Sequence, residues 1–399
     1  MQKKLITLAV IAAAFSAPAF ADTSVYGVLD TGFGTMNNTI TPSGGGTTSK
    51  TGLSGVDFSQ MYTTRFGINN TEDLGNGMKV TAVVETNIAG TNPMTDSQWG
   101  KIVAGTNATT GGVPTAAGMT VGNASTAPTA TTLGDRVLDI ALNLGQGTTI
   151  LAGKMSSPLR NIAYGYDAFY GSNLVGNLVT MDADLTARAV AVGVAHNIND
   201  VVSVTAAALD NTTTADGAPD VKHGNGYELT ATYKKDVLSV SAGYRSLEAT
   251  TNNTATPIAT ATDNTTKITL LAASYDFGMA KVYGQYANIQ NDDSVAGAAN
   301  VQGTGKRNYE TAGVNVPFTP VFAGWVELSA GSDKMAGAGA TALQDSRSMN
   351  AYAVGVKYDF SKATSAYADI GSAKMNAGTL TGAIGSKVDQ VALGLTHSF

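Results

Sequence analysis

Val388-Asp389-Gln390-Val391-Ala392-Leu393-Gly394-Leu395-Thr396-His397-Ser398-Phe399 is the last stretch of the chain. Val391, Leu393, Leu395 and Phe399 fall on every second position and His397 completes the row. Gln390, Ala392, Gly394, Thr396 and Ser398 take the places between. A period of two marks a strand with two unlike faces, here one apolar and one polar or small. The same alternation recurs upstream. Tyr227, Leu229, Ala231 and Tyr233 interleave with Glu228, Thr230, Thr232 and Lys234. Tyr352, Val354, Val356, Tyr358 and Phe360 interleave with Ala353, Gly355, Lys357 and Asp359.

The other end of the chain carries an export signal. Lys3 and Lys4 precede the apolar run 5–15, and Ala19-Phe20-Ala21 offers a small-x-small cleavage site. Residues 1–21 are expected to be a signal peptide and residues 22–399 a single domain. Charged residues make up 14% of the chain, against roughly 25% in soluble domains. Yet no internal stretch approaches the ~18 apolar residues that a spanning helix needs. A mean hydropathy of +0.02 therefore reflects fine interleaving, which strands facing lipid on one side and water on the other produce. Cysteine is absent, so disulfides and thiolate metal sites are excluded. A net charge of −6 argues against a nucleic-acid partner.

From Asp22 onward two kinds of connection alternate. Tight ones include Thr71 to Gly77, Gly145-Gln146-Gly147, Asn197 to Asp200, Phe277-Gly278 and Ser361-Lys362. Long ones, rich in Thr, Asn, Gly and Ala, fall near 36–60, 89–132, 156–186, 211–225, 249–266, 292–307, 334–348 and 376–387. Outer-membrane barrels distribute their connections this way, with short turns inside and longer loops outside. The pattern predicts an all-β fold, a transmembrane antiparallel up-and-down β-barrel of about sixteen strands, an even count as the class requires. A set of soluble β-sandwiches leaves the apolar row on nearly every strand unexplained. A solenoid would show a fixed period of ~20–50 residues, which is missing.

Several segments together resemble a Gram-negative general porin of the trimeric, sixteen-stranded β-proteobacterial type. They are 25–30 (Val-Tyr-Gly-Val-Leu-Asp), Arg65-Phe66-Gly67 with 71–77, 273–278 with 280–283, and 393–399. The resemblance implies an outer-membrane location among lipid, a homotrimer, and a water-filled channel for passive transport of ions and small hydrophilic solutes. It also implies that the closing row Val391, Leu393, Leu395, His397 and Phe399 serves as an assembly signal. The third external loop, about 156–186, is expected to fold inward and set its carboxylates Asp167, Asp182 and Asp184 against a basic wall. Strand phase places Arg65, Lys79 and Lys154 on that wall, with Arg136 at a strand end. Where the family often carries Gly-Arg-Gln before this loop, the chain has Ala152-Gly153-Lys154-Met155. The basic wall reads as thinned, and weak ion selectivity is expected.

The same residues offer no constellation for catalysis or metal binding. The three histidines, His196, His223 and His397, lie at strand ends or in a loop without a convergent serine or carboxylate partner. The run 303–307 (Gly-Thr-Gly-Lys-Arg) lacks both the distal glycine and the Ser/Thr of a phosphate loop. Asp182 with Asp184, or 291–293, offers too few oxygens to fix calcium. No enzyme activity, cofactor or metal is expected. The alternative to a general pore is a substrate-specific channel, which needs a ladder of aromatics and paired charges through the lumen. Tyr26, Tyr283 and Trp325 point inward by phase but lie on distant strands.

Overall fold

The computed structural model describes residues 21–42, 48–59, 61–88, 108–109, 114–115, 133–172, 174–176, 183–186, 188–210, 225–253, 260–295, 305–336, 344–376 and 384–399. Their core is one antiparallel sheet closed on itself. Its strands in chain order begin with β1 (Ala21–Pro42), β2 (Ser49–Phe58 continued by Arg65–Gly75), β3 (Met78–Asn87) and β4 (Val137–Asn143). There follow β5 (Thr148–Ser156), β6 (Arg188–Asn197), β7 (Val202–Asp210), β8 (Asn225–Lys235), β9 (Leu238–Asn253) and β10 (Thr260–Asp276). The last six are β11 (Lys281–Val295), β12 (Gly305–Thr319), β13 (Phe322–Ala336), β14 (Gln344–Asp359), β15 (Thr364–Met375) and β16 (Ile384–Ser398). Each pairs with the next, and β16 returns to β1 from Val28↔Ser398 to Pro42↔Ile384.

The sixteen-strand count depends on reading β2 as one interrupted strand. Its first segment pairs with residues 31–40 of β1 and its second with residues 21–28, on the same edge. Between the segments the chain leaves the ladder and turns into the lumen. There Asp30 accepts hydrogen bonds from the backbone N–H groups of Met61 (3.2 Å) and Tyr62 (2.7 Å), and Tyr367 donates to its other oxygen at 2.7 Å. Ser59 takes a left-handed φ of 64° to start the excursion.

The closing strand meets the sequence expectation. Val391, Leu393 and Leu395 face outward, 50–59% exposed, while Gln390, Ala392 and Thr396 are buried on the lumen side. Phe399 exchanges two backbone hydrogen bonds with Gly27, at 3.0 and 3.2 Å. A Cβ on Gly27 would lie 2.5 Å from the Phe399 ring, so this glycine is what lets the ring settle over the seam. The seam thus pairs the last strand with the first, and a closed ladder is the condition for crossing lipid with strands.

Two of the tight connections are left-handed throughout. Gly75, Asn76 and Gly77 have φ of 81°, 53° and 77°, and Gly145, Gln146 and Gly147 have 76°, 50° and 77°. Glycine and asparagine tolerate this region, which explains their place in two-residue hairpins. Some of the long connections are shorter than expected, because their strands run on, while those at 156–186 and 211–225 keep the expected bounds. The β9–β10 ladder continues to Asn253↔Thr260 and the β1–β2 ladder to Ile40↔Ser49. These extensions are threonine- and asparagine-rich. The apolar row that revealed the strands elsewhere is missing there. The second long connection contains only a two-residue ladder, Ala108–Thr109 with Pro114–Thr115, among its described residues.

Candidate pore constriction

The third loop leaves β5 and opens with a short helix, α1 (Pro158–Gly165). Ser157 caps it, its hydroxyl accepting the Arg160 N–H at 3.1 Å, and Pro158 occupies the first turn where a missing N–H costs nothing. Leu159, Ile162 and Ala163 are buried, and a Cβ on Gly243 of β9 would touch both Ile162 and Leu159. The wall residues that meet the loop alternate with lipid-facing ones: Glu228 and Glu327 are fully buried beside exposed Leu229 and Leu328. The loop therefore lies inside the barrel.

Its attachment is built from buried polar groups on many strands. Glu228 accepts the Leu159 N–H at 3.1 Å and is ion-paired with Arg245. Arg245 donates to Ser157 Oγ and to the Asp184 carbonyl, both at 2.7 Å, so one guanidinium ties the loop's entry to its exit. Gln285 donates to the Ala163 carbonyl at 3.1 Å. Glu327 accepts from Ala168 N at 2.9 Å, Gln390 accepts from Val175 N at 2.9 Å, and Ser329 donates to the Gly176 carbonyl at 3.1 Å. Phe169 packs edge-on to Trp325 with centroids 5.5 Å apart. Gly313 and Gly371 make this approach possible. A Cβ on Gly313 would stand 2.7 Å from that of Ala168, and one on Gly371 would collide with the Val175 carbonyl.

Against β8 to β16 the loop is thus packed tight, and the remaining opening faces β1 to β6. On that wall Glu85 is the hub. Arg136 Nε lies 2.6 Å from one oxygen and Arg65 Nε 3.4 Å from the other, and the Tyr26 hydroxyl donates at 3.1 Å. Arg136 also donates to Asn87 Oδ1 at 2.7 Å. Asp135 fixes the turn before it by accepting from Asn87 N at 2.8 Å and Thr86 Oγ1 at 2.9 Å. From the loop side Arg160 projects toward this wall, its guanidinium 3.8 Å above the Tyr164 ring. Burial, together with the guanidinium groups of Arg136 and Arg65, lowers its pKa, while Tyr164 and Glu85 act in the opposite sense. Arg188, at the start of β6, interacts electrostatically with Arg136 and Arg160. The Nε atoms of Arg160 and Arg188 are buried without a protein acceptor.

The expected residues divide accordingly. Arg65 and Arg136 come together on the two sides of Glu85. Lys79 shares the lumen face of β3 but sits exposed beside the Gly75–Gly77 turn, three inward positions from Glu85. At ~3.3 Å per residue that is roughly 20 Å, at the mouth of the barrel and away from the cluster. Lys154 faces outward, a correction to its expected place. Its cross-strand neighbours are Leu138 and Val190, both exposed on the lipid side. Met155 takes the inner face instead, where it packs with Ala191, Ala207 and Leu209.

The loop carboxylates do not form a row across the opening. Asp167 is fully buried against the wall, its Oδ1 accepting the Phe169 N–H at 2.6 Å. Burial first, and the neighbouring Glu327 carboxylate second, push its pKa well above the usual carboxylate range. Asp184 is drawn to β12 by Arg307 at 2.6 Å. Asp182 and His223 lie outside the described residues. Arg160, Arg188 and Glu85 are the members of this charge cluster that strand phase alone did not bring together. Glu85 alternates with Val84 and Thr86 and was legible as inward, but its two arginines come from other elements.

A family model described as Gram-negative porin matches residues 7–378. No curated protein sequence matches the chain. Among solved structures, the anion-selective porin from Comamonas acidovorans superposes with a TM-score of 0.60 at 19% identity, over 95% of this chain and 100% of that one. The outer membrane channel DcaP of Acinetobacter baumannii gives 0.60 at 13% identity, over 96% and 99%. The trimer form of OmpT of Vibrio cholerae gives 0.56 at 13% identity, over 95% and 100%. Identities this low speak for the fold.

Proposed function

The chain belongs to the Gram-negative porin family, a passive channel of the outer membrane and not an enzyme, and we propose that it is a general diffusion pore whose constriction favours small anions. The observation that carries this reading is the charge around the opening. Arg65 and Arg136 are ion-paired with Glu85, and Arg160 and Arg188 interact electrostatically with the same carboxylate. A surplus of fixed positive charge between low-dielectric walls raises the local anion concentration and lowers that of cations. The Comamonas porin is anion-selective, but at 19% identity the preference here stands on this chain's own charges.

The mature protein begins at Asp22 in this reading, after removal of residues 1–21, and assembles as a homotrimer. The side of the barrel from β3 to β7 has strands of 7–10 residues, against 15–17 from β9 to β14. That low side carries Lys154 among apolar neighbours, where a neighbouring subunit would relieve its exposure to lipid. OmpT of Vibrio cholerae, one of the similar structures, has a trimer form.

Proteoliposome swelling separates a general pore from a specific one. Small neutral sugars, zwitterions and anions should enter at rates graded by size and charge, without saturation. Entry of one solute that saturates while others of equal size are excluded would establish a substrate-specific channel instead.

A further inference from the structure

Below the constriction, on the side of the tight turns, the lumen wall holds a recess of about 490 Å³. That volume falls within the ~300–1,000 Å³ range of small-molecule sites and far exceeds what a chloride or phosphate ion fills. Its polar lining lies on the inner face. Lys357 and Asp359 alternate with lipid-facing Val356 and Tyr358, and Thr396 and Ser398 alternate with Leu395 and His397. Arg65 reaches its upper edge and Lys362 of the β14–β15 turn its lower one. Three cations therefore line it against one carboxylate. That carboxylate is already engaged, since Asp359 accepts from Ser365 Oγ at 2.7 Å and lies 3.1 Å from Lys357 Nζ. Val28, Tyr62 and Val321 add apolar wall.

We propose that this recess is a second anion site, separate from the constriction, which holds a small organic polyanion such as a polycarboxylate. The cations and the hydroxyls of Thr396 and Ser398 serve its oxyanion groups, and the apolar wall serves its carbon body. An inorganic anion meets the same charge but leaves most of the volume empty. Because Arg65 borders both places, an organic anion leaving the constriction would be handed directly to the recess.

The proposal uses the channel reading but not its anion preference, and one bilayer preparation tests the two apart. Citrate added to each side of single channels in potassium chloride should produce brief current blocks, at lower concentration from the side onto which the recess opens. Inorganic phosphate should block far less. In Lys357→Ala/Lys362→Ala the half-blocking citrate concentration from the sensitive side should rise about tenfold, and Lys357→Arg/Lys362→Arg should retain the block. Equal block from both sides, or a block unchanged by the alanine pair, would overturn the site. Phosphate blocking as strongly as citrate would overturn the organic ligand class. The zero-current potential in a salt gradient, read from the same channels, reports the constriction alone, so failure of one claim is distinguishable from failure of the other.

Discussion

Single residues decide the sign of the field across the opening, and Glu85 is the most telling of them. It is shared by Arg65, Arg136 and Tyr26, so it compensates part of the arginine charge while holding those side chains in place. Glu85→Gln keeps a hydrogen-bond acceptor and removes the charge, so the anion-to-cation permeability ratio should increase. Arg160→Gln and Arg65→Glu should lower it, the latter about tenfold or more, as read from zero-current potentials at low salt. The Debye length there exceeds ~10 Å, and fixed charges are weakly screened. An unchanged ratio in both Glu85→Gln and Arg65→Glu would place this cluster away from the narrowest section.

At the scale of elements, the third loop behaves as a fitted plug rather than a mobile strand of chain. Its chief strut is the buried Glu228–Arg245 pair, which holds Ser157, Leu159 and Asp184 together. Removing one partner of such a pair leaves an uncompensated buried charge, a loss of about 3–5 kcal/mol. Arg245→Met should therefore loosen the loop, seen as increased open-channel current noise and lower thermal stability of the folded barrel. A second attachment depends on pH. Asp167 lies against Glu327 with its pKa raised, so the docked loop holds a proton that a freed loop would release. Its stabilising effect is complete below the ordinary carboxylate range and is lost as pH rises through the raised value. Current noise should grow toward alkaline pH in the wild type, and Asp167→Asn should flatten that dependence. Noise that grows equally in the variant would assign the effect to another group.

Over the whole molecule, the barrel was legible and the constriction only partly so. Alternation is local, so Val391, Leu393 and Leu395 announced the closing strand without any knowledge of its partner. The same rule gave Arg65 its inward phase. It failed at Lys154, where alanine and glycine neighbours leave the two faces nearly alike and only the packing of Met155 settles them. Asp167 and Asp184 were legible as loop carboxylates, but their partners are not local. The contact of Ala168 with Glu327 spans 159 residues and that of Val175 with Gln390 spans 215. No period in the sequence reports such pairings. Closure itself rests on the same distance, since Phe399 seals against Gly27. Deleting Phe399 removes two seam hydrogen bonds and a ring, and should slow assembly, measured as the fraction of protein whose gel migration shifts on heating.

The central claim is that guanidinium groups outnumber carboxylates at the narrowest section. The most direct test is the zero-current potential of the wild-type channel in a planar bilayer under a tenfold potassium chloride gradient. The account predicts a potential of the sign set by chloride, shrinking as total salt rises and screening strengthens. A potential of the sign set by potassium would contradict it.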